Sequence, residues 1–258
     1  MRGLNGQVVL VAGGGRGIGR AVADKFAEYG ARVVIGSRTA AEVEAAAAAI
    51  RARGGDAVGE VLDVTDAASV HRFVERAVET HGRLDSLVYC AGINARHPAE
   101  DYPEEAWVRV LNTNLTGAYR VCQAVGRRMI QQGGGSIVTI TSMMSHVTTP
   151  NQSAYAAAKG GLLQYTRVLA VEWAKHNIRV NAVSPGYIRT EMTARALEES
   201  SFRDNILRKT PQGRLGLPEE IAEAVCFLAS PAASFITGIA LPVDGGFLAG
   251  HPQIVPRG

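Results

Sequence analysis

Short runs of apolar, mostly β-branched residues alternate with longer helical patterns over most of the chain. Most of the short runs are continuously apolar rather than alternating, which is typical of parallel strands covered on both faces. They predict seven strands, at Gln7–Ala12, Arg32–Ser37, Val58–Leu62, Ser86–Tyr89, Ser136–Thr141, Arg179–Ser184 and Ala240–Val243. The patterns between them predict six helices, at Gly17–Tyr29, Ala40–Arg53, Ala67–His81, Glu104–Gln131, Ser153–His176 and Pro218–Ala229.

This alternation predicts right-handed βαβ units and an α/β fold, in which a doubly wound parallel sheet of about seven strands carries helices on both faces. The 258 residues are enough to bury a sizeable core, and they fit one large domain. Neither a linker nor an internal repeat interrupts the pattern. We therefore expect a single domain over residues 1–258.

Two segments depart from the rhythm of strands and helices. Residues 187–216 form a long polar excursion between the sixth strand and the next helix. Long insertions at the carboxyl edge of such a sheet often cover a ligand, so this segment is predicted to be a lid, with an ordinary surface loop as the alternative. Residues 247–258 form a C-terminal tail, whose end, HPQIVPRG, is predicted to be extended.

The composition excludes several classes of partner. The net charge is only +3 and no basic stripe is interleaved with aromatic residues, so nucleic acid is not an expected partner. No apolar run approaches the ~20 residues that span a membrane, and the first residues lack the layout of a secretion signal. The histidines are scattered, which predicts no metal site. Three unclustered cysteines indicate free thiols and a cytoplasmic protein: Cys90, Cys122 and Cys226.

A glycine-rich loop joins the first predicted strand to the first predicted helix. Glycines at this position let the backbone turn tightly and approach a pyrophosphate, whose charge is stabilised by the N-terminus of the helix. Because the loop lies between a strand and a helix, it predicts a dinucleotide site with much more weight than a glycine cluster alone. The residues expected there are Gly13, Gly15, Arg16, Gly17, Ile18 and Gly19.

The end of the second strand predicts which dinucleotide binds. A carboxylate at this place binds the adenosine ribose of NAD, whereas an arginine favours the 2′-phosphate of NADP. Here the strand ends in Ser37-Arg38, and the next acid, Glu42, falls inside the predicted helix. Arg16 adds a second guanidinium in the glycine loop. NADP(H) is therefore the expected cofactor and NAD(H) the less favoured one, unless both arginines are merely solvated charges.

Tyr155 and Lys159 are four residues apart, so they share one face of a predicted helix. Ser142 lies at the end of the fifth strand, where α/β sheets place ligands. Reduction of a ketone needs a proton at the oxygen, and an ammonium beside a positive nicotinamide would lower the pKa of a phenol from its usual value near 10. We expect Tyr155 to act as general acid in reduction and general base in oxidation, while Ser142 hydrogen-bonds the carbonyl oxygen.

The spacing Gly13-x3-Gly17-x-Gly19, followed by Asn114, Ser142 and Tyr155-x3-Lys159, resembles the short-chain dehydrogenase/reductase family over nearly all of the chain. The resemblance implies a Rossmann-type fold. It implies that Lys159 also holds the nicotinamide ribose and that Asn114 holds a water linking Lys159 to solvent. It extends the cofactor site to Asp63, Val64, Cys90, Ala91, Gly92, Pro185, Gly186, Ile188 and Thr190.

The sequence departs from the family pattern at two positions in this expected site. Ala12 stands where a threonine usually precedes the glycines, and Cys90 stands where an asparagine usually precedes Ala91. Both polar groups are lost together, which leaves no orphaned donor, so the exchange is interpreted as a compensated packing variant. It puts cofactor affinity, rather than chemistry, in question.

The expected substrate is a small ketone of the sugar, polyol or hydroxy-ketone type, reduced to a secondary alcohol. Its pocket should be lined by adaptable methionines and by side chains that hydrogen-bond hydroxyls, with Asn94 and Arg96 near the rim. Core packing is the alternative explanation for the methionines. The predicted substrate residues are Met143, Met144, His146, Asn151, Gln152, Tyr187 and Met192.

Two other functions stay open at this point. The sequence also resembles the 3-oxoacyl-acyl-carrier-protein reductases of the same family, with Arg127 at a position that is basic there, but with Val171 at the second such position. A non-catalytic nucleotide-binding or sensing protein is the other alternative. The family resemblance further implies a homotetramer, or else a dimer, built on the two long helices. Compatible interface positions are Leu162, Leu163, Val168, Leu169 and Trp173, which could equally face the sheet.

Overall fold

A single seven-stranded parallel sheet organises the protein, whose computed structural model describes residues 3–250. The strand order is β3-β2-β1-β4-β5-β6-β7, so the chain reverses its direction of travel across the sheet between β1 and β4. The predicted fold class is confirmed, and the last eight residues of the predicted tail lie outside the described part. The strands are β1 Val8–Ala12, β2 Arg32–Ser37, β3 Asp56–Val61, β4 Ser86–Tyr89, β5 Gly135–Ile140, β6 Ile178–Pro185 and β7 Ala240–Val243.

Nine α-helices are found within residues 3–250, and most of them return the chain from one parallel strand to the next. Successive residues of β1 are buried on opposite faces of the sheet. Val9 and Val11 pack in a core with α1, α2 and α9, whereas Val8 and Leu10 pack in a second core with α3, α5 and α6. The helices are α1 Gly17–Glu28, α2 Ala40–Arg51, α3 Ala67–His81, α4 Glu104–Leu111, α5 Gly117–Gln132, α6 Ser153–Trp173, α7 Glu191–Leu197, α8 Ser200–Lys209 and α9 Pro218–Ala229.

The long helix predicted at Glu104–Gln131 is wrong as a continuous α-helix. A π-helical turn at Asn112–Thr116 separates α4 from α5. Such a turn inserts extra backbone into the helix and often occurs at functional sites. Here it buries Asn114 completely, with both amide groups bonded to the main chain of Ile93. The gain of these two bonds explains why the helical periodicity is interrupted at this place.

The segment 187–216 is not a continuous loop. It contains α7 and α8, and an isolated bridge pairs Ile188 with Gly216 at its two ends. The sequence predicted only a polar excursion, because α8 is short and buries just Ile206 among its residues. The lid function of this segment stays a prediction.

Other boundaries shift by a few residues. β3 begins at Asp56 rather than Val58, and α6 ends at Trp173, followed by a 3-10 turn at Ala174–His176. Within residues 3–250, no helix has both the length and the apolarity that crossing a membrane requires.

The apolar positions predicted on α6 divide between two environments. Leu162 and Leu169 belong to the core against the sheet, and Leu163 is buried as well. Val168 is instead 50% exposed and Val171 is 81% exposed. Three of the five predicted interface residues are therefore core residues, Trp173 packs partly buried against the same core, and Val168 faces outward beside Val171.

Gly59 of β3 provides a test of how closely α2 packs on the sheet. A Cβ at this position would lie 2.6 Å from the carbonyl oxygen of Val43, so Gly59→Ala must displace backbone. We expect it to lower the free energy of unfolding by about 1–3 kcal/mol in urea. Gly160 on α6 has no atom within 4 Å of its Cβ position, so Gly160→Ala should raise stability by about 0.5–1 kcal/mol. Equal changes in the free energy of unfolding for the two substitutions would contradict the close packing of α2 on Gly59.

Candidate active site

A cavity of about 560 Å³ lies at the carboxyl ends of the strands, beside the point where the strand order reverses. Open α/β sheets bind their ligands at this point. Every residue that the sequence predicted for the cofactor lines this one cavity: Gly13, Gly15, Arg16, Gly17, Ile18, Gly19, Ser37, Arg38, Asp63, Val64, Cys90, Ala91, Gly92, Tyr155, Lys159, Pro185, Gly186, Ile188 and Thr190.

The glycine loop is shaped by close backbone approaches that side chains would prevent. Gly13 has φ +90°, and a Cβ on it would lie 2.5 Å from the amide nitrogen of Ala91. The helix α1 begins at Gly17, with no side chain capping its first turn. Its end is therefore free to stabilise an anion through backbone amides and the helix dipole. This cradle fits a pyrophosphate.

Next to this cradle, the Ser37 hydroxyl is buried and has no hydrogen-bond partner among the described residues. Leaving such a group unpaired costs roughly 1–3 kcal/mol, which a bound ligand oxygen would recover. Arg38 follows Ser37 and is exposed at the cavity wall. A hydroxyl and a guanidinium together fit the adenosine ribose and a 2′-phosphate, as in NADP(H).

Two carboxylates stand near the predicted phosphate ligands, and the sequence analysis did not place either of them there. Arg16 forms a 3.1 Å ion pair with Glu191, the first residue of α7. The carboxylate of Glu42 lies 3.2 Å from the position of a Cβ on Gly15. Glu42 was discounted as a helix residue, yet the first turn of a helix that follows a strand returns to the same edge of the sheet. The place of Glu42 in the first turn of α2 could therefore have indicated that its carboxylate lies beside the cofactor cavity.

Asp63 closes the adenosine end of the cavity. Burial acts to raise its pKa, but two hydrogen bonds from Thr65, helped by the charge of Arg38, lower the pKa below its ordinary value. The carboxylate is therefore charged at neutral pH, and its Oδ1 accepts from both the amide and the hydroxyl of Thr65, at 2.8 and 2.7 Å.

The three predicted catalytic side chains of β5 and α6 lie on the cavity wall. Ser142 follows β5, and its hydroxyl accepts the Met144 amide proton at 3.1 Å, which caps the next turn. Tyr155 and Lys159 lie one turn apart on α6, with the Lys159 Nζ 5.7 Å from the centre of the Tyr155 ring. Lys159 is 3% exposed and donates a 2.7 Å hydrogen bond to the carbonyl of Ile140, at the end of β5.

The electrostatics of this group differ from the expectation in one respect. Burial raises the pKa of Tyr155, and the interaction with the Ser142 hydroxyl opposes this only in part. Burial also lowers the pKa of Lys159 to about 8. In the protein alone, Lys159 does not make Tyr155 more acidic than an ordinary phenol. The tyrosine therefore keeps its proton at neutral pH, which suits a proton donor.

Asn114 is fully buried and lies behind this wall. Its amide accepts the Ile93 N–H at 2.8 Å and donates to the Ile93 carbonyl at 2.9 Å. A Cβ on Gly92 would lie 3.4 Å from the Asn114 Oδ1 and 3.6 Å from the Lys159 Nζ. Asn114 therefore fixes the segment after β4 against Lys159, while its predicted link to solvent through a water stays a prediction.

The predicted substrate residues are dispersed. Only Met192 lines the main cavity, and Tyr187 lines a neighbouring pocket of about 310 Å³. Met143 and Met144 are buried, in line with the alternative of core packing. His146 and Asn151 are exposed, and the His146 Nε2 lies 3.1 Å from the Ser184 hydroxyl.

Gln152 is buried, and both of its amide groups are used inside the protein. Its Oε1 accepts from Asn94 at 2.8 Å, and its Nε2 donates to Thr149 at 2.7 Å. Asn94, expected only near the rim, lines the main cavity together with Ser142 and Tyr155. Asn94 could have been predicted there because it is the first polar residue after Gly92, which was itself predicted to line the cavity.

Cys90 is one of the two departures from the family pattern, and a main-chain hydrogen bond joins it to the other. Its amide donates a 2.8 Å bond to the carbonyl of Ala12, the other departure. Burial raises the pKa of the Cys90 thiol to about 11, although the nearby Lys159 and the amide of Gly19 act against this. The thiol is therefore neutral and packs as a small apolar group. Within residues 3–250, no three His, Cys, Asp or Glu side chains converge in a group that could hold a metal ion.

Comparisons with known proteins show the family to which the chain belongs. The family model described as enoyl-(acyl carrier protein) reductase matches residues 12–248. Gluconate 5-dehydrogenase of Gluconobacter oxydans is 39% identical over 94% of this chain and 95% of its own. Galactitol 2-dehydrogenase (L-tagatose-forming) of Cereibacter sphaeroides is 41% identical over 95% of this chain and 96% of its own.

Among solved structures, a gluconate 5-dehydrogenase from Burkholderia cenocepacia, crystallised with NADP and tartrate, superposes with a TM-score of 0.93. It is 36% identical and covers 95% of this chain and 96% of its own. The chain belongs to the short-chain dehydrogenase/reductase family, and it is an oxidoreductase of that family. The expected family, fold class and enzyme class are thereby confirmed, and the NADP in the Burkholderia structure agrees with the expected cofactor.

The burial of Lys159 predicts a specific pH dependence of stability. The folded protein releases this proton near pH 8, whereas an unfolded chain releases it near pH 10.4. Between these values the unfolded state binds more protons, so the free energy of unfolding rises with pH. We expect wild type to gain stability relative to Lys159→Met as the pH is raised from 7 to 10 in urea titrations. Lys175→Met, at an exposed position, is the control, and parallel curves for wild type and Lys159→Met would contradict the burial.

Proposed function

We propose that this protein is an NADP(H)-dependent oxidoreductase that reduces a small ketone of the sugar, polyol or hydroxy-ketone type to a secondary alcohol. One observation carries the proposal. Ser142, Tyr155 and Lys159 line the same cavity as the glycine loop, so acid–base groups lie in the place where a dinucleotide fits. A protein that only binds or senses a nucleotide needs no such groups, which argues against that alternative.

In this reaction the nicotinamide supplies the hydride to the carbonyl carbon when the cofactor is bound. Tyr155 donates the proton to the carbonyl oxygen, and it holds that proton at neutral pH because burial raises its pKa. Ser142 hydrogen-bonds the same oxygen, where negative charge develops. Lys159, tethered to the Ile140 carbonyl, would hold the nicotinamide ribose with its remaining protons. In oxidation the Tyr155 oxygen accepts the proton instead.

The substrate class is supported by the relatives and by the cavity wall. The relatives act on gluconate and galactitol, as their names state, and both are polyhydroxylated. The cavity that holds Tyr155 is also lined by the polar Asn94 and the apolar Met192. Hydroxyl-rich substrates match such a mixture of hydrogen-bonding and apolar groups.

A reductase for acyl-carrier-protein substrates is the second candidate, and one observation favours it. Arg127 is exposed on α5, where an acidic carrier could reach it, and the matching family model is named after such a reaction. The second basic position is taken by Val171, which is 81% exposed and uncharged. Turnover of an acetoacetyl thioester that is lost in Arg127→Glu would favour this candidate over the ketose reductase.

We also propose that the protein works as a homotetramer in the cytoplasm. The support for assembly is the apolar outer face of α6 with Val168 and Val171, and the fully exposed Phe235 before β7. Exposed apolar side chains of this kind are typical of interfaces between chains. Sedimentation equilibrium measurements distinguish a tetramer from the alternative dimer.

The proton donor is tested by Tyr155→Phe, which removes only the phenolic oxygen. We expect ketone-dependent NADPH oxidation to fall by at least about 100-fold in kcat, because general acid catalysis contributes 10²–10⁴-fold. NADPH binding, followed by fluorescence, should persist. Tyr29→Phe, whose hydroxyl contacts Glu223 away from the cavity, is the matched control and should retain its activity. Full turnover in Tyr155→Phe would rule out the mechanism.

The cofactor preference is tested by Arg38→Asp. Loss of a guanidinium beside the 2′-phosphate should raise the KM for NADPH about 10- to 100-fold and that for NADH much less, since a charge-assisted hydrogen bond contributes about 1.5–3 kcal/mol. Arg109→Asp, on the exposed side of α4, controls for the change in net charge. A preference for NADPH that survives Arg38→Asp would refute the assignment of this arginine.

A further inference from the structure

Asn94 lines the main cavity, and one of its amide atoms is satisfied by no described residue. Its Oδ1 is buried without a hydrogen-bond partner, whereas its Nδ2 donates to the Gln152 Oε1 at 2.8 Å. Asn94 is half-buried and lines the same cavity as Ser142 and Tyr155. An unsatisfied buried amide atom costs roughly 1–3 kcal/mol, so its retention beside the catalytic groups requires an explanation.

The orientation of the Asn94 amide is supported by a series of hydrogen-bonded side chains. Gln152, which is 6% exposed, accepts from Asn94 and donates to the Thr149 hydroxyl at 2.7 Å. The Thr149 hydroxyl in turn lies 3.9 Å from the sulfur of Met144. Both polar atoms of the Gln152 amide, and the Nδ2 of Asn94, are therefore engaged in hydrogen bonds within the protein. Within the described residues, the Oδ1 of Asn94 is the one amide atom of this pair that has no partner.

The backbone around Asn94 is fixed on both sides. Ile93 exchanges two hydrogen bonds with the buried Asn114, and the carbonyl of Ala95 accepts a 3.0 Å bond from the Tyr102 hydroxyl. The amide of His97 also bonds the carbonyl of Asn151 at 3.2 Å, which ties this segment to the loop before α6. A side chain supported in this way recognises a ligand more selectively than one on a free loop, because little ordering is needed on binding.

We infer, on the basis of the proposed reaction, that Asn94 determines substrate specificity by hydrogen-bonding a hydroxyl on a carbon close to the reacting carbonyl. A hydroxyl is the matching group because it both donates and accepts, so it satisfies either end of an amide. A simple ketone would leave the Asn94 Oδ1 unpaired in the complex. Sites built to bind a hydroxyl discriminate strongly against analogues that lack it for this reason. Gln152 is then a positioning residue that acts through Asn94.

The test compares ketones that share one carbon skeleton. Initial rates with NADPH are measured for 2-butanone, 1-hydroxy-2-butanone and 4-hydroxy-2-butanone, using wild type, Asn94→Leu and the control Thr148→Val. Leu has the same number of side-chain heavy atoms as Asn, branched at the same carbon, and has no polar atoms. Thr148 is exposed and lies outside the cavity wall. Thermal unfolding of each variant checks that it is folded.

Wild type should prefer at least one hydroxylated ketone over 2-butanone by about 10- to 100-fold in kcat/KM, as expected for one hydrogen bond to a buried group. In Asn94→Leu this preference should fall to within about 3-fold, because kcat/KM falls much further for the hydroxylated ketone than for 2-butanone. Gln152→Met should reduce the preference in the same direction and to a smaller extent. Thr148→Val should keep it.

The inference is overturned if Asn94→Leu retains the preference, or if its kcat/KM falls equally for all three ketones, since an equal loss means a structural role. Failure of the proposed reaction is seen separately, as the absence of NADPH oxidation by wild type with every ketone. Calorimetric binding of 1,2-butanediol and 2-butanol to the protein saturated with NADP⁺ then decides the role of Asn94. Selective weakening of the diol in Asn94→Leu supports it, and equal affinities in the two proteins overturn it.

Discussion

The hydrogen bond from the Lys159 ammonium to the Ile140 carbonyl is the contact on which the site depends. It joins α6 to the carboxyl end of β5 at 2.7 Å, inside a wall where Lys159 is 3% exposed. With Lys159 fixed there, Tyr155 one turn earlier must face the same cavity, and Ser142, two residues after the end of β5, must lie beside it. The rest of the sheet brings the glycine loop to the opposite wall, because parallel strands end at one edge. One tether thus orients the acid–base group toward the cofactor cradle.

The burial that accompanies this hydrogen bond also shifts the pKa values of Lys159 and Tyr155. Burial lowers the pKa of Lys159 to about 8 and raises the pKa of Tyr155. In the protein alone the phenol is therefore protonated at neutral pH, and the amine stays mostly protonated there but titrates near pH 8. Donation of a proton to a carbonyl oxygen needs the first of these states. Removal of a proton from an alcohol needs phenolate, which an added positive charge at the nicotinamide position would favour. The protein alone therefore holds Tyr155 in the protonated form that reduction would use, whereas the phenolate that oxidation would use depends on the charge of the cofactor.

The sequence was sufficient for the fold and the cofactor cradle because both follow from local patterns. Each of these patterns occupies a short stretch of sequence: the apolar runs of the strands, the glycine spacing, and the pair Tyr155 and Lys159. The π turn at Asn112–Thr116 was not readable, since its cause is a pair of bonds to Ile93, about 20 residues away in the chain. The two helices in the segment 187–216 were missed for a similar reason, because their sequence is polar and little of it faces the core.

The ion pair between Arg16 and Glu191 and the place of Glu42 also depend on tertiary structure. The substrate end was the least predictable part, as shown by Gln152, whose amide serves Asn94 and Thr149 rather than the cavity. Side chains chosen by proximity in sequence can face the core instead, as Met143 and Met144 do. Polar groups that a fold holds rigidly and leaves unsatisfied are better markers of a binding wall, and they become visible only in three dimensions.

The most direct measurement of the central claim is a pH titration of Tyr155 by ¹³C NMR, with tyrosine labelled at Cζ and the signal assigned through Tyr155→Phe. The account predicts that the phenol titrates above its ordinary pKa in the protein alone and at a clearly lower pH once NADP⁺ is bound. A phenolate already present at neutral pH in the free protein, or a titration that NADP⁺ leaves unchanged, would contradict it.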